Sequence, residues 1–235
     1  APKRRSMFNV AIRTVTLDHS TGGAEYGTGG GIVWDSEHES EYEECLIKAR
    51  ILGEKRPSFQ LLETILWTAA EGCFLLDYHL RRMAASAGYF DFLFDPERAA
   101  REIAAKTERA DANRAKVRLL CAEDGTLTVE VRPLPEESGS GGVNVVFADE
   151  PVDPACPFLY HKTTQRDTYN RARQAHPEAD DILLWNPDGV VTESTIANVV
   201  IEEDGNLYTP PLDCGLLPGV FRAWLLDQGQ VAERT

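Results

Sequence analysis

Apolar positions recur along the chain in two rhythms, every second residue and every third or fourth, and the switches between them mark the elements. Residues 7–15, MFNVAIRTV, read as a strand, and the glycine-rich run Tyr26-Gly27-Thr28-Gly29-Gly30-Gly31 leads into a second short strand at 32–34. Tyr42, Cys45, Leu46, Ala49 and Leu52 are spaced as one helix face, with acids early and Lys48 and Arg50 late, as the helix dipole prefers. The polar segment 53–58 breaks the pattern and carries a proline, which makes it an interdomain linker. Beyond it, 59–68 predicts a strand, Glu71-Gly72 a turn, and 74–76 its returning partner. Leu76, Leu80, Met83, Ala84 and Ala87 predict a helix N-capped by Asp77 and running to about Gly88.

Asp95-Pro96-Glu97 opens a second helix that carries to about Arg109. Segments 116–121 and 126–132 predict a hairpin around Asp124-Gly125. Residues 133–142 are polar and glycine-rich, and 143–148 predicts a buried strand. A helix over 166–175, a strand over 181–185, a turn at Asn186-Pro187-Asp188-Gly189, and strands at 198–201 and 206–209 around Asp204-Gly205 follow. Leu217-Pro218-Gly219-Val220-Phe221-Arg222 opens a final helix. The order of strands and helices gives an α/β (α+β) class, with a small α+β domain at 59–133 and a larger domain at 142–235.

Composition narrows the function classes. The chain has 235 residues, 43% hydrophobic and 26% charged, the ordinary range of a globular protein. A net charge of -14 argues against nucleic-acid or anionic-membrane partners, which select for clustered Lys and Arg. The five cysteines are scattered with no CxxC pair, so they predict reduced thiols rather than disulfides or a zinc site. No apolar run approaches the roughly 20 residues of a membrane span. The basic start, Ala1 to Ser6, is not followed by a signal-type apolar region, so the expectation is a cytoplasmic protein.

Candidate chemistry lies in the C-terminal half. Lys162 falls in a short loop between a proline-containing run and a polar helix, Glu193 falls after a strong turn, and the helix opened at Leu217 presents free N–H groups and a positive dipole end. Singly these are ordinary surface features. Together an amine, a carboxylate and a phosphate seat are what pyridoxal phosphate needs: a lysine for the Schiff base, an acid to keep the pyridine nitrogen protonated, and donors for the phosphate. In HLRRM, Arg81 and Arg82 stand about 100° apart around their helix, so one can face a site while the other faces solvent.

The wording of these segments is more specific than their order. LLDYHLRRMAASAG, YHKTTQR, ADDILLWNPDGVVTESTIANVVI and LYTPPLDCGLLPGVFR together resemble the class IV aminotransferase family, the fold-type IV pyridoxal-phosphate enzymes, over residues 58–235. The resemblance implies a two-domain enzyme, commonly a homodimer, acting on a small-molecule substrate. It implies that Lys162 carries the cofactor, that Glu193 pairs with the pyridine nitrogen, and that Asn198 supports Glu193. Arg82 and the backbone N–H groups of Val220 and Phe221 would hold the phosphate, Leu217 would pack on the ring, and Arg81 would face solvent. Relatives continue with a further strand and helix, so the resemblance also implies a C-terminus cut short.

The segments FNVAIRT, YGTGGGIVWDS and EYEECLIKAR resemble the C-terminal end of the chorismate-utilising family, in particular the large subunit of aminodeoxychorismate synthase. There Arg13 and the loop at Gly27 and Gly29 would hold substrate carboxylates, and Glu41 and Glu44 would ligate magnesium. Residues 1–52 hold only the tail of that domain, so they are expected to be a loosely packed or disordered remnant with no working metal site. A synthase tail joined to a class IV enzyme points to the aminodeoxychorismate lyase branch, which makes 4-aminobenzoate and pyruvate for folate biosynthesis. KTTQR points the same way, because Asp167 stands where aminotransferases commonly place a tyrosine five residues after the lysine. A class IV aminotransferase of branched-chain or D-amino acids is the alternative, and an inactive truncated fragment the second.

Overall fold

Leu61–Thr68 (β3) is the strand around which the enzyme-like part of the chain is laid out. The computed structural model describes residues 14–28, 34, 37–50, 57–135 and 142–235. Contacts divide the chain into two units, Ala1–Pro57 and Ser58–Thr235.

In the first unit, Val15–Asp18 (β1) and Gly23–Tyr26 (β2) form an antiparallel hairpin with Val15 opposite Tyr26. Asp18 closes its turn, accepting from Ser20 N at 2.9 Å and from the Ser20 and Thr21 hydroxyls at 2.7 and 2.8 Å. His38–Arg50 (α1) follows, with Tyr42, Leu46 and Ile47 at 66%, 48% and 60% exposure. The expected strand at 7–15 lies outside the described residues except for its end, where Val15 opens β1. Of the expected strand at 32–34 only Trp34 is described, in a turn. Arg13 and Gly29 are also outside the described residues, and a side chain at Gly27 would meet open space. Glu44 on α1 pairs with Lys48 at 2.8 Å. Among the described residues no cluster of three His, Cys, Asp or Glu forms around Glu41 and Glu44.

In the second unit, β3 sits inside a four-stranded antiparallel sheet of order β4-β3-β5-β6, with Gly72–Cys73 (β4), Arg114–Cys121 (β5) and Leu127–Pro133 (β6). Strand alternation turns Leu61 and Ile65 into a core that Leu76–Phe90 (α2) and Pro96–Thr107 (α3) cover with Leu80, Met83, Ala87, Ala99 and Ile103. Each fully buried Leu or Ile in such a layer contributes about 1.5–3 kcal/mol. Even-numbered Leu62, Thr64 and Leu66 face the other way and line a cavity.

Several sequence expectations need correction here. Asp77 is not the N-cap of α2: the helix begins after Leu75, held at a φ of 51°, and Asp77 lies within its first turn, where its charge still favours the dipole. Residues 74–76 are not a strand, because β4 stops at Cys73. Asp95 does cap α3, accepting from Arg98 N at 3.0 Å. The β5–β6 hairpin turns at Gly125, at a φ of 80° and with the place of its missing side chain 3.0 Å from Leu93 O, so only glycine fits.

Three strands form a second sheet: Val145–Phe147 (β7) runs parallel to Asp181–Trp185 (β8), which pairs antiparallel with Val191–Ser194 (β9). The helix Asp167–Ala175 (α4), set between β7 and β8 in the chain, packs on this sheet around Leu159, Tyr169, Ile182 and Leu184. β7 is an edge, with Val145 36% and Phe147 59% exposed, so the strand expected to be buried at 143–148 is only partly so. Ile201–Glu203 (β10), Asn206–Thr209 (β11) and, after the helix Val220–Asp227 (α5), Ala232–Glu233 (β12) make a third sheet. Among the described residues no helix is long and apolar enough to cross a membrane.

Candidate active site

Lys162 reaches the cavity from a loop that behaves as an extra strand. Leu62 N donates to Lys162 O at 3.0 Å and Thr164 N to Gln60 O at 2.9 Å, and Leu61 bridges Thr163. The lysine backbone is thereby locked to the start of β3, which is itself held on both sides. Among the described residues its Nζ has no hydrogen-bond or ion-pair partner. Burial, reinforced by the charges of Arg82 and Arg166, pushes the amine down to about 8, so a substantial fraction is neutral near physiological pH.

Across the cavity β9 delivers Glu193, buried at 3% exposure. Tyr169 on α4 donates its hydroxyl to Glu193 Oε1 at 2.7 Å, and Asn198 Nδ2 lies 3.4 Å from Oε2. Burial pushes this carboxyl up to about 7, opposed by the Tyr169 bond, the Leu217 backbone and the charges of Lys162 and Arg166. Asn198 also donates to Leu217 O at 2.9 Å, which ties the strand carrying Glu193 to the start of α5.

That helix start is open. Gly219 is its N-cap, with no side-chain cap, so the N–H groups of Val220 and Phe221, two residues that line the cavity, have no intrahelical acceptor. Arg82 crosses to the same corner, donating Nη1 to Pro218 O at 3.0 Å. Its Nε and Nη2 are held by Glu63 at 2.8 and 2.6 Å, and His79 Nδ1 meets the same carboxylate at 2.6 Å. Burial alone would push Glu63 up, yet the Arg82 charge and the His79 and Arg82 hydrogen bonds hold it below the usual carboxylate range. A guanidinium has five donors; with these three bonds made, Nη1 and Nη2 keep free N–H groups for an anion at the helix start. Arg81 is exposed, with Nε on Asp77 O at 3.3 Å.

The cleft holds about 910 Å³, the scale of a cofactor and small substrate together. Leu217 lines it beside Ile196, Val200 and Phe221, and the Phe221 ring leans toward Phe74 at 6.1 Å and stacks on Trp224 at 5.6 Å. Lys162, Glu193, Arg82, Leu217, Val220, Phe221 and Asn198 thus all border one cavity.

Four further residues at the site were not marked in the sequence. Glu63 interrupts the apolar run LLETILWT, a buried charge whose oddness was the available signal. Tyr169 and Arg166 lie in a polar helix and its approach; Arg166 donates to Thr195 O at 2.5 Å and its guanidinium lies 4.5 Å from the Tyr169 ring centroid. Lys116 on β5 is the cross-strand partner of Leu66, so it shares the cavity-facing side of the sheet. It is exposed, and among the described residues it has no ion-pair partner. Nothing in the sequence distinguished it from other strand lysines.

Residues 60–235 match the amino-transferase class IV family. The chain belongs to the class IV aminotransferase family. Residues 1–54 match the chorismate binding enzyme family. An inferred aminodeoxychorismate lyase of Schizosaccharomyces pombe is 33% identical over 74% of this chain and 75% of its own length. Among solved structures, an inferred amino-acid aminotransferase of Mesorhizobium loti is 36% identical, covers 75% of this chain and 86% of its own, and superposes with a TM-score of 0.70. An inferred 4-amino-4-deoxychorismate lyase of Legionella pneumophila, 20% identical over 79% of this chain and 74% of its own, shares the fold with a TM-score of 0.65.

Class IV aminotransferases are pyridoxal-phosphate enzymes, and the cofactor of this chain is pyridoxal phosphate. The residues present fit it. A buried amine without a partner among the described residues, a buried carboxylate across the cavity, and an uncapped helix start beside an arginine supply in one space the three contacts the cofactor requires.

Proposed function

We propose that the protein is a pyridoxal-phosphate-dependent lyase that converts 4-amino-4-deoxychorismate to 4-aminobenzoate and pyruvate in folate biosynthesis, working in the cytoplasm as a homodimer. The observation that carries this reading is the junction of a chorismate-binding-enzyme segment to a class IV unit in one polypeptide. The likeness to the Schizosaccharomyces pombe relative supports it. So does Asp167, which is exposed on α4 and bound by Gln165 Nε2 at 2.7 Å, and so offers no phenol from that position.

In this reading 59–133 and 142–235 are two domains that close the cavity between them. Lys162 would hold the cofactor, Glu193 would face the pyridine nitrogen, Asn198 would keep Glu193 in register with α5, and Leu217 would lie against the ring. The phosphate would be taken by Val220 N, Phe221 N and the free edge of Arg82. When bound, pyridoxal phosphate would supply a carbonyl for the substrate amine and an electron sink for the carbon beside it. Lys162, neutral in a useful fraction because its pKa is about 8, would take the C4 proton. The C–O bond to the enolpyruvyl group then breaks with its electron pair, the group leaves as pyruvate after taking a proton, and the ring becomes aromatic. Aromatisation makes the elimination downhill, so the protein's task is to place the substrate and move one proton.

The substrate carries two carboxylates. Lys116 at the cavity wall, a cation without an ion-pair partner among the described residues, is suited to one of them. Lys116→Ala is expected to raise KM about five- to tenfold, the worth of roughly 1–1.4 kcal/mol of uniform binding, with kcat within about twofold. A fall in kcat with unchanged KM would remove Lys116 from substrate binding.

The reading is tested by supplying 4-amino-4-deoxychorismate and following pyruvate through a coupled reductase, with 4-aminobenzoate measured by fluorescence. Equal release of both products is expected. The likeness to the Mesorhizobium loti structure favours a second reading, an amino-acid aminotransferase. Amino transfer between an amino acid and a 2-oxo acid, without product from aminodeoxychorismate, would establish that one instead.

A further inference from the structure

Glu193 is held by a residue outside the set that contacts the cofactor in the reading above. Tyr169 is 6% exposed, embedded among Leu159, Ile182 and Leu184, and its hydroxyl donates to Glu193 Oε1 at 2.7 Å. Its ring cannot swing away. The Arg166 guanidinium lies over it at 4.5 Å and is anchored in turn on Thr195 O, two residues beyond Glu193. Thr195 Oγ1 bonds Asp181 on the neighbouring strand β8, so the carboxylate, the phenol and the cation are all referred to one sheet.

We propose that Tyr169 is a positioning residue for Glu193: its buried hydroxyl occupies one carboxylate oxygen, favours the ionised form against the effect of burial, and leaves the other oxygen turned to the cavity and the cofactor ring. This rests on the reading that Glu193 faces the pyridine nitrogen. A carboxylate in so dry a place tends to take up a proton, and a neutral acid cannot stabilise a protonated ring nitrogen. The groups facing Glu193 are Tyr169 and Arg166 from α4 and its approach, Lys162 from the loop, and Asn198 with the Leu217 backbone from the α5 side. Tyr169 gives the first of the effects that counter burial. Burial and the Glu193 charge push the phenol itself far above its ordinary value, so it remains a donor throughout the working pH range.

Tyr169→Phe removes the hydroxyl and keeps the ring. In the full-length cofactor-free protein, the infrared carboxyl band that Glu193→Gln deletes is expected to titrate about one to two pH units higher in Tyr169→Phe, the shift a lost hydrogen bond to a charged group produces. The ratio of variant to wild-type Kd for pyridoxal phosphate should be about five- to fiftyfold near pH 7 and fall to about twofold or less near pH 9, as Glu193 becomes ionised in both. Merely structural damage gives a ratio that does not change with pH. Should Tyr169→Phe fold poorly, difluorotyrosine placed at 169 keeps the hydroxyl and strengthens it as a donor, and is expected to move the Glu193 titration down. An unmoved carboxyl titration in either variant overturns the proposal. Failure of the wild-type protein to bind pyridoxal phosphate overturns the cofactor assignment instead, and the carboxyl titration, which needs no cofactor, still decides the role of Tyr169.

Discussion

Lys162→Ala is expected to abolish covalent retention of pyridoxal phosphate. Borohydride should fix an absorbing adduct on the wild-type chain and none on the variant, and turnover should fall by about 10³-fold or more, as when a nucleophile that also moves the proton is removed. The expectation follows from the position of the amine. Lys162 is carried by backbone bonds at 3.0 and 2.9 Å to β3, so truncating the side chain leaves the loop in place. Its Nζ has no partner among the described residues, so no buried group is orphaned by its loss. An adduct that survived in Lys162→Ala would move the cofactor linkage to another amine and remove the central assignment.

The same burial makes a second measurement informative. A lysine whose folded pKa is lowered to about 8 binds fewer protons folded than unfolded between that value and its ordinary one. Its cost to stability is therefore fully present below pH 8 and fades as pH rises toward 10.4. Lys162→Met keeps the apolar stem and removes the charge. The cofactor-free variant is expected to melt above wild type at pH 7, with the difference closing at alkaline pH. A melting difference that stayed constant from pH 7 to 10 would mean that the amine is solvated when folded.

The distribution of what the sequence disclosed has a physical basis. Lys162, Glu193 and Arg82 are embedded in motifs long enough to be distinctive, and the structure brings all three to one cavity. The alternation of β3 and the helical spacing of α2 and α3 also gave the main packing, because burial selects for periodicity. The positioning groups escaped. Glu63 and Tyr169 act through pairings to residues at separations of 19 and 24, and no local pattern encodes such a partner. The start of α2 was misplaced because Asp77 is a good cap by type, whereas the chain enters that helix through a left-handed Leu75. Edge exposure of β7 was hidden for a related reason: an apolar strand does not state how many neighbours it will have.

Gly219→Ala is expected to damage the site nearly as much as loss of the lysine, and by a different route. Gly219 has a φ of -61° and a ψ of 139°, which any residue adopts, so the constraint is one of space rather than conformation. A methyl group there would overlap Asn198 Oδ1 and come within 2.9 Å of its Cγ. Asn198 must withdraw, losing its bond to Leu217 O at 2.9 Å and its approach to Glu193 Oε2, or α5 must shift away from Arg82 and the Pro218 carbonyl. Overpacking of this kind costs about 1–3 kcal/mol, and here the displaced atoms are those of the proposed phosphate seat. Pyridoxal-phosphate affinity should fall about 10- to 100-fold, read by quenching of intrinsic tryptophan fluorescence, with Tm lowered by a few degrees. Asn198→Ala alone should weaken binding less, because the helix start keeps its place. Combining it with Gly219→Ala should recover part of the loss, since the clash has then been removed, and that non-additivity distinguishes a steric conflict from two independent contacts. If Gly219→Ala bound the cofactor as tightly as wild type, the helix start would not be the phosphate seat.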